Sequence, residues 1–213
     1  MQRLIASVTL VVVALAAACG GGDGNDEPAR TPTPDTFDPR ALTALVIRPD
    51  DLALPPIGVT WNPEATNGIS FQSSFGDQSL YMQNSVTRMR DRAIFEEQSV
   101  RLRRALSGLV GPESNFDVPG ADRAYIYRGT EPPQLTTVAF LDIYIVLVSV
   151  QSLDGSRPEA ALDEAQIRRY TETVFRRLEA YLADPDSVTP VAIFLTAAPS
   201  PPADTTPVPT PPP

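Results

Sequence analysis

Apolar and polar positions divide the chain into four stretches with different periods. From Leu4 to Ala18 the residues are apolar, with only Ser7 and Thr9 interrupting. That run is shorter than the roughly 20 residues of a helical membrane span and fits the hydrophobic part of an export signal. Residues 20–36 contain Ala29 as their only apolar side chain. Helical and alternating periods recur between Phe37 and Ala183, and beyond Ala183 proline dominates.

Within the central stretch, Asp38-Pro39 is a helix start, with Asp38 as the cap and Pro39 at the first helical position. Leu42, Leu45 and Val46 then make a short apolar face. Pro55, Pro56, Gly58 and Pro63 break any regular period between Asp50 and Asn67, so that segment reads as an irregular crossing anchored by Trp61. Gly68 to Phe75 and Ser79 to Met89 read as strands about a Gly76-Asp77 turn. Asp91 caps a helix over Arg92 to Leu109, in which Ile94, Phe95, Gln98, Leu102, Ala105, Leu106 and Leu109 recur at helical spacing.

Arg123 to Gly129 alternates as a strand. Gln134 to Leu141 and Tyr144 to Gln151 form a hairpin about Asp142-Ile143, and the second arm, rich in β-branched residues, belongs in the sheet centre. A last helix opens at Ser156-Arg157-Pro158 and runs to about Leu182, with Ile167, Tyr170, Val174, Phe175, Leu178, Tyr181 and Leu182 on one face. Val191 to Leu195 reads as a brief edge strand or a hydrophobic latch. Strands grouped between helices predict an α+β fold: an antiparallel sheet of about five strands with two main helices packed on one face.

The termini suggest an address. Arg3 precedes the apolar run, and Leu15 to Cys19 (LAAAC) resembles the bacterial lipobox, whose cysteine is lipid-modified before cleavage in front of it. The resemblance implies a signal peptide over residues 1–18 and an acyl lipid on Cys19. Residues 19–36, Gly-rich and then Pro-Thr-rich, would be a flexible tether holding a domain (37–183) off the bilayer, and residues 184–213 a largely disordered Pro-rich tail. The expected location is the outer, extracytoplasmic face of the cell membrane.

Composition narrows the chemistry. The formal charge is −9, which disfavours a nucleic-acid partner because such binding depends on cationic neutralisation of phosphates. The chain has no His, and Cys19 is its only cysteine. A Ser-His-Asp triad, a Cys nucleophile and the usual zinc sites therefore cannot be assembled, and no cofactor or metal is expected. Acidic neighbours Asp50 and Asp51, Glu96 and Glu97, and Asp163 and Glu164 splay apart when adjacent in sequence, which favours solvated surface over a catalytic pair. Asp23, Asn25, Asp26 and Glu27 lack the spacing of a calcium loop, and GGGDG has neither a preceding strand nor a lysine to serve as a phosphate loop. The aromatic set Trp61, Tyr81, Tyr125, Tyr127, Phe140 and Tyr144 could line a ligand cleft between helix and sheet or could be ordinary core and edge packing.

The segments DLALPPIGV, RAIFEEQSVRLRRAL, DVPGADRAYIY and TVAFLDIYIVLVSV, followed by a closing helix, resemble in order those of small actinobacterial-type extracytoplasmic lipoprotein and sensor domains, including PsbP-like lipoproteins and PknH-type extracellular sensor domains. The resemblance implies a small ligand or an envelope protein bound between sheet and helices, without chemistry. The expected function is thus a lipid-anchored, non-enzymatic binding or sensing module. Two alternatives are a carboxylate-dependent hydrolase of envelope glycans, which would need two buried carboxylates facing each other at about 5–10 Å, and a passive interaction protein working through its Pro-rich tail.

Overall fold

A computed structural model describes residues 37–52, 54–62, 67–153 and 163–191, with the side chains of Trp61 and Asn62 outside that description. Cys19, the tether, Ser156-Arg157-Pro158, most of the Val191 to Leu195 run and the Pro-rich tail beyond Val191 lie outside the described residues, and the last helix starts later than expected, capped by Asp163. Asp38 caps the first turn by accepting the Arg40 N–H at 2.9 Å, and helix α1 follows over Leu42–Leu45. The strands are β1 (Pro56–Asn62), β2 (Gly68–Gly76), β3 (Leu80–Met89), β4 (Glu113–Asn115), β5 (Arg123–Thr130), β6 (Pro133–Leu141) and β7 (Tyr144–Ser152). Helix α2 spans Arg92–Leu109 between β3 and β4, and α3 spans Glu164–Ala183 after β7.

Two features of the expected fold are corrected. The strands form one antiparallel sheet of seven, in the order β1-β2-β3-β7-β6-β5-β4, where about five were expected. The additional two are its edges. β1 occupies the segment taken as an irregular crossing, because prolines are compatible with the ends of an edge strand: Pro56 starts β1 and a register shift follows before Gly58. β4 has three residues and no apolar pattern, and pairs only with β5.

The helices also do not share a face. Successive strand residues point to opposite sides of a sheet, and β7 divides cleanly on that rule. Tyr144, Val146, Val148 and Val150 join Ile167, Val174, Phe175 and Leu178 of α3 in one core. Ile145 and Leu147 join Phe95, Leu102 and Leu106 of α2 in a second. The result is a three-layer arrangement, helix over sheet over helix, and it explains why every residue of β7 is buried. A single apolar stripe on each helix requires cover but does not say from which side.

Polar contacts pin the layers. Thr137 on β6 meets Thr171 on α3 at 2.7 Å, deep in the first core. The Ile47 N–H donates to Asn84 Oδ1 at 2.8 Å, while Ser73 Oγ donates to the Ile47 carbonyl at 3.0 Å. These bonds hold the segment after α1 against β2 and β3. Gly111, at φ 154°, leads from α2 into β4, and a Cβ there would stand 2.1 Å from the Arg128 carbonyl oxygen, so the close approach of this turn to β5 requires glycine.

Candidate functional site

The aromatic residues singled out in the sequence separate into four places. Tyr125, Tyr127 and Phe140 lie together on the α2 side of the sheet. Phe140 is fully buried and sits between Phe95 (ring centroids 5.9 Å apart) and Tyr125 (6.3 Å), both edge-on. Tyr81 is on the same side but toward the far end of the strands, level with Gln151 on β7. Tyr144 belongs to the opposite core, and Trp61 lies on the edge strand β1.

Under α2 the aromatic group is built into an ion-pair cluster. Arg103 Nε donates to Glu113 Oε2 at 2.9 Å and its Nη2 donates to Oε1. The Tyr127 hydroxyl donates to Oε2 at 2.7 Å, and the Arg103 guanidinium stacks 3.9 Å over the Tyr125 ring. Hydrogen bonds from Arg103 hold the Glu113 carboxyl below its ordinary range despite burial. Burial first, and then the Glu113 charge, raise the Tyr127 phenol. Arg103 is raised by the same carboxylate. Arg103, Glu113 and Tyr127 therefore each keep one protonation state near neutral pH, which makes the cluster a clamp between helix and sheet edge.

Beyond this apolar region the same sheet face changes character. The strand registers place Tyr127, Thr136, Ser149, Gln83 and Ser74 in one cross-strand row. Gly129, Gln134, Gln151, Tyr81 and Gly76 make the next. The side chains bond within and between the rows: Gln134 Nε2 donates to Ser149 Oγ at 2.8 Å and to Thr136 Oγ1 at 3.0 Å, and the two hydroxyls are 2.9 Å apart. On the β2–β3 side, Gln83 Nε2 donates to Gln72 Oε1 at 3.0 Å and the Tyr81 hydroxyl reaches Ser74 Oγ at 3.2 Å. None of these residues is charged.

Gln151 stands between the two networks. It is 1 % exposed, and neither its Nε2 nor its Oε1 has a hydrogen-bond partner among the described residues. An enclosed, unpaired amide costs about 1–3 kcal/mol per polar group, so this carboxamide, among buried Ser74, Gln83, Thr136 and Ser149, is an exception to the rule that buried polar groups are paired and calls for an explanation. The aromatic reading did not include Gln72, Gln83, Gln134 or Gln151. A sequence signal for them exists: β7 reads VSVQ at its end, with Ser149 and Gln151 on one side of an otherwise apolar strand.

Five of the six residues in the acidic pairs have bonded partners, and none of the pairs converges on a shared site. Glu96 pairs with Arg92 at 2.9 Å and Arg123 at 3.1 Å, and Glu97 pairs with Arg101 at 2.5 Å. Asp163 caps α3, and Glu164 bonds Arg128 at 2.5 Å. Asp51 takes a two-pronged bond from Arg177, both contacts 2.7 Å. Burial alone would raise the Asp51 carboxyl, but Arg177 and the Arg48 amide outweigh it and hold it low. Asp51 and Glu113 serve opposite helices, on opposite sides of the sheet. Among the described residues no three His, Cys, Asp or Glu side chains are grouped to hold a metal, and no helix is long and apolar enough to cross a membrane. No known family model matches the chain, and no curated protein is significantly similar to it.

Proposed function

We propose that the chain is a membrane-anchored extracytoplasmic lipoprotein, held by an acyl group on Cys19, whose domain is a non-enzymatic binding module for a neutral, hydroxyl-rich ligand of the glycan type. The observation that carries the binding half is the enclosed, unpaired Gln151 carboxamide amid an uncharged field of amides and hydroxyls. Such a field matches sugar hydroxyls, which need donors and acceptors but no counter-charge. Backbone groups on a sheet face are already spent in the ladder, so a peptide adding as an extra strand would go to an edge instead. Tyr81 at the border of the field offers a ring on which a sugar can stack.

The anchor rests on the apolar run, the small residues before Cys19 and the tether after it. Asp51, Glu96 and Glu113 are held below their ordinary pKa by arginine partners, which supports binding over hydrolysis, because a glycosidase acid must hold a proton at working pH. Two measurements test the two halves. Cys19→Ala is expected to shift the protein from the membrane to the soluble fraction, and unchanged membrane association refutes the anchor. Neutral N-acetylglucosamine oligomers are expected to perturb the side-chain amide resonances of Gln134 and Gln151, and shifts confined to other faces refute the binding surface.

A further inference from the structure

A separate feature lies on the other side of the sheet. Between α3 and the chain that follows it is an open cavity of about 540 Å³. Its walls carry Arg48, Arg176 and Arg177 together with the hydroxyls of Thr173, Ser187 and Thr189, and among the described residues no carboxylate lines it. In a chain of formal charge −9 this is a local reversal of sign.

The three guanidiniums are not equally committed. Arg177 is tied to Asp51 by both prongs and to the Val46 carbonyl at 2.8 Å. Arg48 gives one Nη2 bond to the Ala44 carbonyl at 2.8 Å, while its Nε is enclosed without an acceptor. Arg176 has only long contacts, 3.4 Å to the Glu172 carbonyl and 3.5 Å to Thr173 Oγ1, and no carboxylate partner among the described residues. Asp51 is thus the one carboxylate bonded to any of the three cations among the described residues. Burial and the Arg177 charge both lower the Arg48 guanidinium, the direction expected where positive charge is in excess, although Asp51 and Asp50 oppose it.

We propose that this cavity binds a phosphoryl group. Guanidinium forks pair with phosphate oxygens in two-pronged fashion. Arginines and hydroxyls here come from three parts of the chain: Arg48 before the Pro49–Asp51 turn, Thr173, Arg176 and Arg177 on α3, and Ser187 and Thr189 after it, with the Thr173 and Ser187 hydroxyls donating to the Arg169 and Ala180 carbonyls at 2.8 and 3.2 Å. A tetrahedral oxoanion can meet donors from three directions at once, whereas a carboxylate presents two oxygens in one plane. The group can belong to a soluble phosphate ester or to a phospholipid headgroup. The proposal is independent of the glycan surface, which uses the opposite side of the sheet.

The full chain carrying Cys19→Ala, so that no acyl group draws it to a bilayer, is titrated with inorganic phosphate by calorimetry. Saturable one-site binding is expected, weakened about tenfold or more by Arg176→Gln, because a hydrogen bond to a charged group contributes roughly 1.5–3 kcal/mol. Arg176 makes no ion pair among the described residues, so an unchanged melting temperature accompanies the loss. Gln151→Leu, on the other face, leaves phosphate binding unaltered. Sedimentation with vesicles of equimolar phosphatidylglycerol and phosphatidylcholine then identifies the source. Co-sedimentation abolished by Arg176→Gln assigns a headgroup, and phosphate binding without it assigns a soluble ester. Absence of saturable binding to either probe, or binding that Arg176→Gln leaves unchanged, overturns the proposal.

Discussion

Replacing Gln151 with leucine should make the protein more stable and less able to bind. The wild-type carboxamide is 1 % exposed, with neither polar atom hydrogen-bonded. Leucine is close to glutamine in volume and removes both unpaired groups from the interior. If the fold holds the amide unsatisfied, the substitution returns part of a desolvation cost of about 1–3 kcal/mol per group. Polar neighbours Gln134 and Tyr81 lose a prospective partner, so a net gain of about 1–2 kcal/mol is the reasonable figure, equivalent to about 3–8 °C in melting temperature for a domain of this size. Stability is measured by scanning calorimetry on wild type and Gln151→Leu at neutral pH, and binding by titration with N-acetylglucosamine oligomers. Stabilisation together with lost binding is the trade-off expected of a residue kept for recognition. A melting temperature lowered by several degrees, with binding intact, would show that the amide is satisfied in the native protein and would sink the reasoning.

Two further outcomes follow from contacts on either side of the sheet. Asp51 is held below its ordinary pKa in the folded state, so its contribution is fully present above the unfolded value of 3.8 and is lost as pH falls through the lower folded value. Urea unfolding of Asp51→Asn should show a deficit of about 1–3 kcal/mol, discounted from a fully buried pair because both partners keep some solvent contact. That deficit should be constant from pH 5 to 8 and shrink only below about pH 4, and a deficit that changes between pH 5 and 8 contradicts the assignment. Phe95→Ala removes a fully buried ring that meets Phe140 at 5.9 Å between α2 and the sheet. It should cost about 3–5 kcal/mol by chemical denaturation, and a cost under 1 kcal/mol would mean that α2 is not seated on this face.

The elements with strong local periods were legible without coordinates. Helix α2 begins and ends where Asp91 and the apolar spacing place it, and Asp91 Oδ1 accepts the Ile94 N–H at 2.9 Å. The hairpin of β6 and β7, its turn at Asp142 and the central position of β7 follow from residues close together in sequence. The edges were not legible for a related reason. β1 is flanked by prolines that punctuate most segments, and β4 offers three polar residues, so each owes its existence to a neighbour already in place.

For the candidate site the division is sharper. Sequence alone determined which chemistries have their residues and which do not: a chain without histidine and with one cysteine has amides, hydroxyls, carboxylates and arginines to work with. It also determined the local elements, because capping and periodicity act over a few residues. Only the tertiary structure decided that α2 and α3 lie on opposite faces, that polar residues from β2, β3, β6 and β7 form rows across strands, and that Arg48 joins Arg176 and Arg177 around one cavity. Those facts depend on register and on the side from which each helix docks, and both are settled by packing between residues far apart in the chain.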